Sequence, residues 1–112
     1  MTMGEDGIIR FRVSPGATVN AAAAQQCVTG ASQLAGSAKQ LLLIDMRGLR
    51  DINRDARRIY NDGPAFAVAL LIGSPISKVI GSFFLGLNKP SYPLRLFTSE
   101  QEAVKWLKDF ID

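Results

Sequence analysis

Histidine is absent from this chain of 112 residues, and cysteine occurs once. The first absence removes the side chain most used for general acid–base chemistry and for transition-metal binding. The second excludes an internal disulfide framework and a cysteine metal cluster, and it fits a reducing, cytoplasmic compartment. An enzyme would have to work with carboxylates, lysines or hydroxyls alone. No nucleophile–base pair is recognisable among them, so the expectation is a non-enzymatic protein with no metal and no other cofactor. Long apolar runs are missing too. The longest, from Ala65 to Ile72, stops at Gly73, far short of the ~20 residues of a membrane span. The opening MTMGEDGIIR carries acidic residues where a secretory signal would be basic. Neither an integral membrane segment nor an exported protein is expected. Excess charge of one sign is small, +3 with a pI near 9.4. Nucleic-acid binders concentrate basic charge on one face, so no nucleic-acid partner is expected.

What is present is an ordinary globular composition, 47% apolar and 21% charged, in a length suited to one domain over residues 1–112. Four apolar runs alternate with four helical patterns. From Ile8 to Val13 the residues Ile9, Phe11 and Val13 alternate with Ile8, Arg10 and Arg12, the period of a half-buried strand. Ser14, Pro15 and Gly16 end it. Thr18 offers a helix cap before an alanine-rich stretch, where Val19, Ala23, Cys27, Gly30 and Leu34 fall near helical spacing and Gly36 stops the helix. Leu41 to Asp45 is apolar without alternation up to its final aspartate, as in a parallel strand covered on both faces. Asn53 is expected to cap the next helix, which Gly63 and Pro64 close. Ala67 to Ile72 reads as another central strand, and Ser74-Pro75 opens a helix from Ile76 to Leu87.

The last unit carries the sharpest signal. Pro93 to Thr98 is a strand, with Leu94 and Leu96 opposite Arg95 and Phe97. Ser99 and Glu102 have the capping-box spacing, and Ala103, Trp106, Leu107 and Phe110 form an i, i+3, i+4, i+7 stripe. The alternation predicts an α/β fold: a mainly parallel sheet of four strands, with a possible extra N-terminal edge strand, helices on both faces, and Trp106 packed into the core.

Two groups stand out as candidate sites. Arg47, Arg50, Arg54, Arg57 and Arg58 form the densest basic cluster, following Asp45 at the end of a strand, where α/β ligands tend to bind. Guanidinium groups around a helix start suit an anion. The alternative is a solvated face with Asp51–Arg54 and Asp55–Arg58 as i, i+3 pairs worth only ~0.2–0.5 kcal/mol each. The second group is the helix from Ile76 to Leu87, whose Val79, Phe83, Phe84 and Leu87 add more apolar surface than one core-facing stripe needs. Burial in the monomer is the common explanation, a homodimer the next, and a hydrophobic-ligand pocket the third. Cys27, mid-helix and with no histidine to activate it, reads as a small buried hydrophobe.

With those units in place, the chain resembles the STAS and SpoIIAA-like proteins, the anti-sigma-factor antagonist fold, and within them a small bacterial branch labelled STAS/SEC14-like. The resemblance rests on IDMRGLRDINRDAR, on VALLIGSPISKVIGSFFLGLNKP and on YPLRLFTSEQEAVKWL, and covers roughly Gly7 to Phe110. It implies the strand order 2-1-3-4. It also implies a regulatory or protein-interaction module presenting the loop and helix around Arg47–Arg58, with a SEC14-like binder of a small apolar or anionic ligand as the alternative. In the antagonist branch a serine of an Asp-Ser-Ser-Gly element is phosphorylated. That element falls here on Asn53, Arg54, Asp55 and Ala56, which carry no hydroxyl, so the switch is expected to be lost. Asp55 offers less charge and fewer acceptor oxygens than a phosphoserine, and Asn53 and Asp55 also suit a cap and a first helical turn. Incubation with an antagonist-type kinase should leave residues 53–56 unmodified by mass spectrometry; stoichiometric phosphate there would show that the motif is misplaced.

Overall fold

The computed structural model of the chain describes residues 1–14, 16, 18–73 and 92–111. The elements run β1 (Thr2–Met3), β2 (Ile8–Arg12), β3 (Thr18–Val19), α1 (Ala21–Ala35), β4 (Leu41–Asp45), β5 (Asp51–Ile52), α2 (Arg54–Asn61), β6 (Ala67–Leu71), β7 (Leu94–Phe97) and α3 (Glu100–Lys108). The helix expected from Ile76 to Leu87, with Val79, Phe83, Phe84 and Leu87, lies outside the described residues.

Five strands form one sheet in the order β1-β2-β4-β6-β7. β2, β4, β6 and β7 are parallel, and β1 adds the antiparallel N-terminal edge. The fold is therefore α/β with a mostly parallel sheet. The expected order 2-1-3-4 is corrected: the four parallel strands lie side by side in chain order. A 2-1-3-4 order reverses direction after the first crossover and puts the first two crossover helices on opposite faces. Instead α1 packs along α2 on one face.

Alternation along the strands sorts the core into two layers, because successive side chains point to opposite faces. Ile9, Leu42, Val68 and Leu70 face α1 and α2, joined by Phe11, Ile44, Leu94 and Leu96. Ile8, Leu41, Leu43, Ala67, Ala69, Leu71 and Phe97 face α3, whose Ala103 and Leu107 are fully buried. β6 is buried at every position, which is why its sequence shows no alternation. Trp106 is half-buried, packed against Phe97 and Phe110 with ring centroids 5.6 and 4.9 Å away.

Helix ends follow local chemistry. The Asn20 side chain accepts from the Ala23 amide at 2.9 Å and Asn53 from Ala56 at 2.8 Å, and Ser99 accepts from Glu102 at 3.4 Å. Asn20, not Thr18, caps α1. Thr18 and Val19 are already engaged in a short parallel ladder with Asp51 and Ile52, so their backbone cannot enter the helix. The buried stripe of α1 is correspondingly shifted by a residue, to Ala24, Cys27, Ala31 and Ala35. Ala23 and Leu34, expected inside, are exposed. Three buried alanines let the helix lie close to the sheet. Gly36 ends it at φ 58°, a conformation costly for any residue with a Cβ.

Among the described residues, one buried polar residue breaks the apolar pattern. Asn61, the last residue of α2, is only 8% exposed, and neither its Oδ1 nor its Nδ2 has a hydrogen-bond partner. An orphaned buried polar group costs ~1–3 kcal/mol, and an apolar replacement of the same shape removes that cost. Leucine has the same branching and a better helix propensity. Asn61→Leu should therefore stabilise the protein by about 1 kcal/mol in urea unfolding.

Candidate functional site

The arginine cluster sits at the carboxyl end of the sheet. β4 leaves the sheet at Asp45, and the chain turns through Met46–Leu49, with the Leu49 amide donating to the Met46 carbonyl at 3.0 Å. The β3–β5 ladder ties this turn to the segment before α1. The Gly16 amide donates to the Gly48 carbonyl at 2.7 Å and the Asn53 amide to the Val19 carbonyl at 3.0 Å. The starts of α1 and α2 are thereby held side by side. Neither β3 nor β5 is legible in the sequence, since each is only two residues long and paired with a distant one.

Asp45 is the hub of the turn. Arg47 Nε donates to its Oδ1 at 3.0 Å and Nη2 to its Oδ2 at 2.8 Å, and the Arg47 amide donates to Oδ1 at 3.1 Å. Arg12 adds a longer ion pair, 3.9 Å from Nε to Oδ2. This fork holds the Asp45 carboxyl below its ordinary value near 3.8, chiefly through the Arg47 hydrogen bonds and against the desolvation of a carboxylate only 16% exposed. The Arg47 stem lies across Gly73, where a Cβ would stand 2.8 Å from Arg47 Cγ. Arg47 thus bridges the carboxyl ends of β4 and β6. In the sequence Arg47 is one of the basic cluster, and Gly73 is only the residue at which an apolar run stops. The available signal was an arginine two residues after a strand-end aspartate, a spacing that lets the two side chains fold onto each other.

The remaining candidates divide by face. Asn53, Arg54, Asp55 and Arg58 are exposed on α2 and its cap, and Arg50 is exposed in the loop before it. Arg57 is half-buried, and Ala56 is fully enclosed against α1. The ion pairs among the described residues are Arg10–Asp6, Arg12–Asp45 and Arg47–Asp45. The expected Asp55–Arg58 pair is not one of them. Arg54 and Arg58, one turn apart, therefore share an exposed face of α2, with Arg50 exposed in the preceding loop and Asp55 in the first turn where the helix dipole favours it.

Under α1 and α2 lies an apolar cavity of about 40 Å³, lined among the described residues by Val13, Cys27, Leu42, Met46, Tyr60 and Leu94. That is far below the roughly 300–1,000 Å³ of a pocket for an organic ligand. Cys27 faces this space, and burial pushes its thiol up, which leaves it less reactive. Burial likewise pushes up the phenols of Tyr60 and Tyr92; Tyr92 donates to the Tyr60 carbonyl at 2.8 Å. Among the described residues no group of three or more histidine, cysteine, aspartate or glutamate side chains gathers to hold a metal ion, and no helix is long and apolar enough to cross a membrane.

The fork has a pH signature. A carboxyl held low in the folded state adds stability that is full above the unfolded value and fades as pH falls through the lower, folded one. Acid titration should therefore weaken the wild type below about pH 4, and Asp45→Asn should flatten that decline. Gly73→Ala should displace the Arg47 stem and move the Asp45 carboxyl back toward its ordinary value in a carbon-detected NMR titration. An unchanged Asp45 titration in Gly73→Ala would show that the fork does not depend on this close approach.

None of the curated proteins matches this chain. Among solved structures, a protein of unknown function from Arthrobacter sp. FB24 is 35% identical, with the match covering 95% of this chain and 89% of that one at a TM-score of 0.37. A family profile matches residues 2–111, nearly the whole sequence. The chain belongs to that family, described as a domain of unknown function, DUF7793.

Proposed function

We propose that this protein is a non-enzymatic regulatory or protein-interaction module of STAS-like type, cytoplasmic, lacking the phosphorylatable serine of the antagonist branch. The observation that carries the reading is the exposure of Arg54 and Arg58 on one face of α2, with Arg50 in the loop before it, on a firmly mounted support. Its mount is the Asn53 cap, the β3–β5 ladder and the Asp45–Arg47 fork. Side chains on a support already ordered lose less freedom on association than those on a loose loop. Arginine is also well suited to interfaces, because its planar fork meets carboxylates bidentately. The apolar cavity, at about 40 Å³, gives less support to a carrier of an organic ligand.

The surface is tested by affinity capture from the native cells, comparing wild type with Arg54→Glu/Arg58→Glu and identifying both proteins and lipids. Both arginines are exposed, so circular dichroism and melting temperature should match the wild type. The expected result is a defined protein partner recovered with wild type and reduced about tenfold or more with the variant. Equal recovery of every protein with both forms would remove this surface from the reading, and recovery of a lipid without a protein would turn it toward the SEC14-like alternative.

A further inference from the structure

The second face of the sheet carries, among the described residues, a flank that α3 does not cover. Among the described residues α3 lies over β6, β4 and β7, while β2 presents Ile8, Arg10 and Arg12 on that side. Between Arg10 and α3 runs an open groove of about 470 Å³, lined by Arg10, Glu100, Gln101, Val104, Lys105 and Lys108. Gln101, Val104, Lys105 and Lys108 are spaced i, i+3, i+4, i+7 and so form one stripe, about 10 Å long at 1.5 Å per residue.

Across from the stripe, Arg10 is held in place. Its Nη1 and Nη2 donate to the two Asp6 carboxylate oxygens at 3.1 and 3.0 Å, and Nη1 also donates to the Ile8 carbonyl at 3.3 Å. The Asp6 charge is consumed by this pair. What remains toward solvent is Lys105 and Lys108 on the wall, both exposed, against one carboxylate, Glu100, at the end of the groove. Val104, half-buried, supplies an apolar contact between the cations.

We propose that this groove docks an extended acidic segment of a partner protein. Carboxylates of the segment seat on Lys105 and Lys108, an apolar side chain rests on Val104, and the Gln101 amide reaches the segment's backbone, with the Asp6-held Arg10 as the opposite wall. Charge complementarity selects the occupant: Arg10 and Asp6 neutralise each other, and Lys105 and Lys108 outnumber Glu100. The long, open form suits an extended chain more than a compact ion. This surface goes beyond the exposed arginines of α2, which lies over the opposite face of the sheet.

The probe is a fluorescent peptide of about six residues alternating aspartate and valine, since the stripe spans about three extended residues; a serine–valine peptide is the control. Binding is read by anisotropy at about 25 and 200 mM salt, where screening distinguishes an electrostatic contact, and by backbone amide NMR. The acidic peptide should shift the amides of Arg10 and of 101–108, bind more weakly at the higher salt, and lose about tenfold or more in affinity to Lys105→Glu/Lys108→Glu. Arg54→Glu/Arg58→Glu should leave it unchanged. Absence of shifts, shifts centred on α2, equal binding of the control peptide, or a response to inorganic phosphate or anionic vesicles but not to the peptide would each overturn the proposal.

Discussion

Burial of β4 and β6 on both faces is the constraint from which the rest of this structure follows. A parallel strand cannot pair with its predecessor through a tight turn, so each strand must be reached by a crossover, and each crossover must bury its own apolar side. Leu41–Leu43 and Ala67–Leu71 leave no strand face for water. Among the described residues, α1 and α2 cover one side and α3 the other. The alanines of α1 are a consequence. α1 meets the sheet and α2 through the buried small residues Ala24, Cys27, Ala31 and Ala35.

The same architecture decides where polar chemistry collects. Strand ends are the places where backbone leaves the ladder and where side chains reach water, and here β4 ends in a carboxylate. Asp45 does not stand open to a ligand. Arg47 returns to it through two side-chain hydrogen bonds and lies over Gly73 on the neighbouring strand end. A bidentate guanidinium–carboxylate pair fixes orientation as well as charge, so the turn from Met46 to Leu49 is set before Arg50, Arg54 and Arg58 reach the surface. One aspartate thus sets Arg47, with Arg12 at longer range, apart from Arg50, Arg54 and Arg58, which are exposed on α2 and its approach.

The two faces of the sheet also differ in how fully they are dressed. On the α1–α2 face the polar exceptions are few and enclosed, Asn61 chief among them. On the α3 face, among the described residues, α3 lies over β6, β4 and β7, and the β2 flank is lined by Arg10 and the lysines of α3. Long cationic side chains suit such a flank, since their methylene stems cover apolar surface while their charges stay wet.

Much of this was legible from residue order alone. The apolar runs, the Asn53 and Ser99 caps, the Gly36 stop and the buried Cys27 are local matters of periodicity and capping, which act within a few residues. The α/β class follows from their alternation. Strand order was not legible, because it depends on which face each crossover helix takes, and that is settled by α1 packing on α2. The cap at Asn20 in place of Thr18 and the one-residue shift of the α1 stripe come from the β3–β5 ladder, a pairing between segments more than thirty residues apart. The fork over Gly73 and the groove beside Arg10 likewise join residues that only the folded sheet brings together. Local chemistry determined the elements, and long-range burial decided their order, their register and the company their charged side chains keep.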